Sequence, residues 1–185
     1  MASMYRITIF VAVLSAAAGG GGCMTGDVDG DGAADHPAQS VDQFRGQALA
    51  SGLTVAQAEN LQRRVDDVLA SIPGGRQVSA TQISYDGLTA TVDPLYSAKK
   101  SAVVPASISC ADEWFCIVVE DTRFEFFKCQ TWDLSNWLNN APFNNNQTPG
   151  TVARAYDQSF NQIWSNTAKA SGTVNVTPWW HFKPC

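Results

Sequence analysis

The residues able to do chemistry are few and scattered. Catalysis needs an acid, a base or a nucleophile brought together, yet the chain has only two histidines, His36 in an acidic stretch and His181 beside Trp180 near the C-terminus. Neither falls in a triad or a zinc-ligand spacing. Glu120, Asp121 and Glu125 are carboxylates around one turn between apolar runs, a place where acids are solvated. The expectation is a protein that is not an enzyme. One ligand pattern stands out: Asp27, Asp29, Asp31 and Asp35 occupy positions 1, 3, 5 and 9 of a calcium loop, with Gly32 at position 6. Position 12, where a closing Glu belongs, is Ala38, so the loop predicts weak calcium binding and otherwise reads as a solvated tether. No other cofactor is implied.

The five cysteines point to architecture. Arg6 precedes an apolar run, Ile7 to Ala18, of a length that suits the h-region of a secretory signal and is too short to span a bilayer. Residues 1–22 therefore read as a signal peptide and 23–42 as an acidic tether. Ala16-Ala17-Ala18 would suit ordinary cleavage, whereas Gly20-Gly21-Gly22-Cys23 resembles a lipobox with Gly20 in place of the usual Leu. Lipidation of Cys23 would leave an even set, Cys110, Cys116, Cys129 and Cys185, for an oxidising compartment. The predicted location is secreted or extracytoplasmic, with a lipid anchor as the one link to the outer face of the membrane. Four cysteines allow three pairings. The favoured one is Cys110–Cys116 with Cys129–Cys185, because the first pair brackets the entry to a strand and the terminal Cys185 has no other anchor.

Charge gives no hint of nucleic acid. All five acids from Asp27 to Asp42 lie where there is no Lys or Arg, and from Gln43 onward 11 basic face 12 acidic residues. The capping box Thr54-Val-Ala-Gln57, followed by Val55, Ala58, Leu61, Val65, Val68, Leu69 and Ile72, predicts an amphipathic helix over 55–71 that stops at Pro73-Gly74-Gly75. Asp86-Gly87, between the β-prone runs 78–85 and 88–92, predicts a hairpin with a type I′ turn. Residues 43–104 then form a helix–hairpin appendage and linker.

From Cys110 onward come all six Trp and seven of the nine Phe. Strands are expected at Phe115–Val119, Arg123–Cys129, Thr151–Tyr156, Gln162–Asn166 and Gly172–Thr177, separated by turns, with the longest loop at Asn139–Gly150. The class is α+β: an N-terminal helix plus β-hairpin, then a disulfide-stapled antiparallel β-sandwich over 105–185. Trp132, Trp137, Trp164, Trp179 and Trp180 are many large rings for so small a domain. Exposed beside Asn144, Asn145 and Asn146, Trp132, Trp137, Trp179 and Trp180 would form a binding surface for a sugar or a protein partner; alternatively they pack beneath the loops.

Trp-Phe-Cys116, Arg123-Phe-Glu-Phe-Phe127 ending at Cys129, Asn146-Gln-Thr-Pro-Gly-Thr151 and the terminal Lys183-Pro-Cys185 together resemble secreted actinobacterial proteins of the peptidase-inhibitor, βγ-crystallin-like type, over about residues 43–185. The resemblance implies a βγ-crystallin-like domain. The family's calcium motif is met by Asn144, Asn145 and Thr148 and interrupted by Pro149. The implied function is an exported binding protein that occupies a protease cleft with a disulfide-held loop, Asn139–Gly150 being the expected contact. The alternative is a cell-envelope carbohydrate-binding or structural module, so the partners expected are an extracellular protease or a cell-wall polymer.

Overall fold

A computed structural model describes residues 41–96 and 107–185. The expected signal peptide over 1–22, Cys23 and the expected calcium loop of Asp27, Asp29, Asp31 and Asp35 lie outside the described residues, as does most of the expected linker after Asp93.

Two helices come first, α1 (Val41–Ala50) and α2 (Val55–Ser71). The acidic tether was expected to run to residue 42, but α1 begins at Val41 and buries Phe44 and Ala48 one turn apart. It ends in a Schellman motif: Gly52 takes φ 93°, its N–H donates to Leu49 O at 3.0 Å, and Leu53 N–H reaches Ala48 O at 3.2 Å. The α2 capping box forms as expected, Gln57 N donating to Thr54 Oγ1 and Thr54 N to Gln57 Oε1. Ala58, Leu61, Val65 and Val68 are its buried stripe.

The strands are β1 (Arg76–Gln77), β2 (Gln82–Tyr85), β3 (Leu88–Val92), β4 (Phe115–Val119), β5 (Thr122–Phe126), β6 (Trp132–Asp133), β7 (Asn140–Asn145), β8 (Val152–Tyr156), β9 (Gln162–Thr167), β10 (Ala170–Asn175) and β11 (His181–Lys183). They form two antiparallel sheets, a larger one in the order β1-β2-β3-β5-β4-β7-β10 and a smaller one in the order β6-β11-β8-β9. The class is α+β. The β2–β3 hairpin forms at Asp86-Gly87, but only Gly87 takes a positive φ, 105°, and its N–H donates to Tyr85 O at 2.9 Å. A type I′ turn needs positive φ at both residues, so a tighter γ-like closure replaces it.

The hairpin was expected to stand apart from the C-terminal strands. Instead β3 pairs with β5 from Leu88↔Phe126 to Val92↔Thr122, so helices, hairpin and later strands share one sheet and one core. In β4, Phe115, Ile117 and Val119 turn inward; α2 packs against β2 and β3 on the larger sheet, while rings of the smaller sheet meet Phe115 and Phe126. Arg64 on α2 ties these parts, reaching Asp121 Oδ2 at 2.7 Å and Asp93 O at 2.8 Å.

The largest correction falls on Asn139–Gly150. Half of this expected loop, Asn140–Asn145, is β7, paired with β10 along its whole length and with β4 at Phe143–Asn145. Asn and Pro are poor strand formers, which hides it in the sequence. Pro142 is tolerated because β4 pairing stops at Phe143, so on that side no ladder bond is asked of it.

Candidate functional site

Both disulfides join the pairs favoured above. Cys110–Cys116 spans 5.6 Å between Cα atoms and Cys129–Cys185 spans 5.4 Å. They fit an oxidising, extracytoplasmic compartment.

The first disulfide anchors the site. Because Phe115 and Ile117 face the core, Cys116 and its cross-strand neighbours Asn144 and Glu125 project from the opposite, outer face of the larger sheet. Across that face runs the irregular segment Ile108–Glu113, and three of its consecutive carbonyls are held by side chains beneath. Asn144 Nδ2 donates to Ile108 O at 2.8 Å, an Arg123 guanidinium nitrogen to Ser109 O at 2.5 Å, and Asn146 Nδ2 to Cys110 O at 3.1 Å. Arg123 is oriented by Glu125 at 2.9 Å. The far end is closed by Glu113 N–H to Asn146 O at 2.9 Å and Trp114 N–H to Ala111 O at 3.3 Å. Lys169 Nζ meets Asp112 Oδ1 at 2.7 Å, and this contact above all holds the Asp112 carboxyl below the usual carboxylate range. Ser109, Ala111, Asp112 and Glu113 remain exposed on top, and Glu113 sits at φ 68°, in the left-handed region. The result is a short backbone segment presented to solvent and fixed from below.

The expected binding residues are thus redistributed. Asn144 and Asn146 do not face a partner; they brace the segment that can. Asn145 points inward, fully buried, its Nδ2 donating to Asn166 O at 3.1 Å. Trp132, Trp137 and Trp179 are buried core rings, Trp179 stacking on Trp137 and Phe182. Of the four expected surface Trp, only Trp180 is exposed, at 44%.

Two features had no sequence signal. His181 Nδ1 lies 2.7 Å from Asp133 Oδ1, and its ring stacks on exposed Phe160 with centroids 3.6 Å apart. A cleft of about 430 Å³ opens between α2, the β4–β5 turn and Ser135–Leu138, with Arg64, Asp67, Glu120, Phe124, Trp137 and Leu138 in its walls. Only tertiary pairing creates either.

No protein-family model, curated protein or solved structure matches the chain.

Proposed function

We propose that the protein is an exported binding module that acts as a peptidase inhibitor, presenting Ile108–Glu113 to a protease cleft. The observation that carries this is the bracing of three successive carbonyls, Ile108, Ser109 and Cys110, by Asn144, Arg123 and Asn146, with Cys110 bonded to Cys116. A protease binds exposed backbone. Ordering a free peptide costs roughly 1–2 kcal/mol per residue in backbone entropy, a cost already met in a braced segment. Bracing also opposes product release: if the bond after Ser109 or Ala111 is cut, the hydrogen bonds and the disulfide keep both new ends in place and religation stays open. The contact is therefore this segment rather than Asn139–Gly150. The resemblance of about residues 43–185 to the peptidase-inhibitor, βγ-crystallin-like proteins supports the same reading. A lipid on Cys23 would hold the module at the cell surface.

The test is an inhibition panel of secreted serine and metalloproteases with the wild type and with Asn144→Ala/Asn146→Ala. The wild type should inhibit at least one protease and stay intact, while the variant is cleaved between residues 107 and 114. Absence of inhibition across the panel, or equal inhibition by the variant, defeats the proposal.

A further inference from the structure

On the smaller sheet, Phe182 and Trp132 face the core, so their neighbours His181 and Asp133 face outward, away from the larger sheet. At the edge of this outer face lies the turn Asp157–Asn161. Its geometry is fixed by one carboxylate: Asp157 Oδ1 accepts from Ser159 N–H at 2.8 Å and Asn161 N–H at 2.9 Å, and Oδ2 accepts from Asn161 Nδ2 at 3.0 Å. The turn holds Phe160 at φ 60° with 60% of its surface exposed. A bulky residue in the left-handed region costs of order 1–2 kcal/mol, where Gly would cost nothing. That cost supports no core packing. It aims a ring outward with one face backed by His181, centroids 3.6 Å apart and planes within 12°, and His181 is itself oriented by Asp133. The backbone of Trp180, whose N–H donates to Tyr156 O at 2.9 Å, runs beside the turn, so its 44% exposed indole can report on binding there without being part of the stack.

We propose that Phe160, stacked on His181, forms a binding site for the pyranose ring of a neutral saccharide, distinct from the braced Ile108–Glu113 segment. The open face of a backed aromatic ring suits the C–H face of a pyranose. The hydroxyls around that ring need acceptors and donors, which Asp133, Asn161 through its Oδ1 and Gln162 through its amide, all exposed, supply. From Asp157 to Ala168 there is no Lys or Arg, and the cations of this face, Arg154 and Lys183, are cross-strand partners of each other two residues further along β8 and β11, so the charges beside the ring are the carboxylates Asp133 and Asp157, which disfavour a phosphate, sulfate or uronate there. A protein partner fits less well, since one turn and one exposed ring fall far short of the roughly 800 Å² per side of a stable interface. The braced segment and this site lie on opposite outer faces, so both can be occupied at once.

The experiment uses the full chain with cellohexaose, chitohexaose and xylohexaose, followed by calorimetry and Trp fluorescence, together with sedimentation on insoluble cell-wall polysaccharide. At least one oligosaccharide should bind, with a fluorescence change. Phe160→Ala should weaken it about tenfold, Phe160→Tyr should retain it, and Trp180→Ala should remove the fluorescence change. Circular dichroism of each variant checks the fold, and unchanged protease inhibition separates this site from the braced segment. Failure of every probe to bind overturns the proposal, as does binding indifferent to Phe160→Ala. So does concentration-dependent dimerisation of the wild type that Phe160→Ala abolishes, which would make the ring a self-contact.

Discussion

The regions around the two disulfides differ in what their bonds hold. Cys129–Cys185 joins residues 56 apart and encloses β6 through β11, the whole of the smaller sheet together with β7 and β10 of the larger. Cys110–Cys116 joins residues 6 apart and encloses no strand pairing; it fixes a surface segment to the face of β4. Both cross-links have ordinary Cα separations. On the chain-entropy model the longer loop is worth roughly 4 kcal/mol and the shorter about 2 kcal/mol. One bond maintains the fold and the other shapes a surface, so stability and binding should separate between them.

The largest effect is expected from Cys129→Ser with Cys185→Ser. A loss of roughly 4 kcal/mol corresponds to a fall in Tm of about 10 °C or more for a domain of this size. Calorimetry in oxidising buffer would read it, and a fall no larger than that from Cys110→Ser/Cys116→Ser would remove the loop-length argument. Arg64→Ala sharpens the comparison. Its guanidinium and the Asp121 carboxylate are only 16% and 15% exposed, so deleting one partner leaves the other charge buried, at a cost of about 3 kcal/mol. Because the pair bridges α2 to the β4–β5 turn and touches nothing near Ile108, denaturant midpoints should drop while protease inhibition at 25 °C holds. Loss of inhibition in a folded Arg64→Ala protein would mean that the two regions are coupled. Cys110→Ser/Cys116→Ser should do the reverse, lowering stability by about 2 kcal/mol but exposing residues 107–114 to cleavage. Removing one brace, as in Asn146→Ala, should cost about 1 kcal/mol, with faster amide exchange confined to Cys110–Trp114.

The same division explains what was legible in the sequence. Features set by neighbours along the chain were readable: the Thr54–Gln57 capping box, the α2 stripe, the Asp86-Gly87 hairpin, and the short Cys110–Cys116 bracket at the entry to β4. Features set across the chain were not. The Asn-rich β7 reads as a loop because its strand character comes from β4 and β10 on either side. Trp137 and Trp179 look like surplus rings until the second sheet is seen to share the core of the first. Helix α1 escapes because it buries only Phe44 and Ala48. Asn144 and Asn146 do belong to the candidate site, but as supports, since nothing local indicates that their amides reach Ile108 and Cys110.

The smallest effect is a test of the braced segment by pH. Asp112 is exposed, and its carboxyl is held below the usual carboxylate range first by the hydrogen bond from Lys169 and then by the ammonium charge. A depressed folded value means that the contact stabilises the segment above the pKa Asp112 has in the unfolded chain, and that this contribution is lost as pH falls through the folded value. Because the pair is open to solvent, global stability should barely respond, and added salt should weaken what response there is. The local response should be clear: as pH is lowered through that range, amide exchange at Ala111–Glu113 should quicken relative to the rate expected for a free peptide at the same pH. Lys169→Ala should bring the Asp112 titration, followed by carboxyl NMR, back to the ordinary carboxylate value and give the faster exchange at neutral pH as well. Asn144 and Asn146 carry no titrating group, so their hold on Ile108 and Cys110 should persist through the whole range. If Asp112 already titrates at the ordinary value in the wild type, Lys169 does not brace the segment, and the disulfide and the two amides hold it alone.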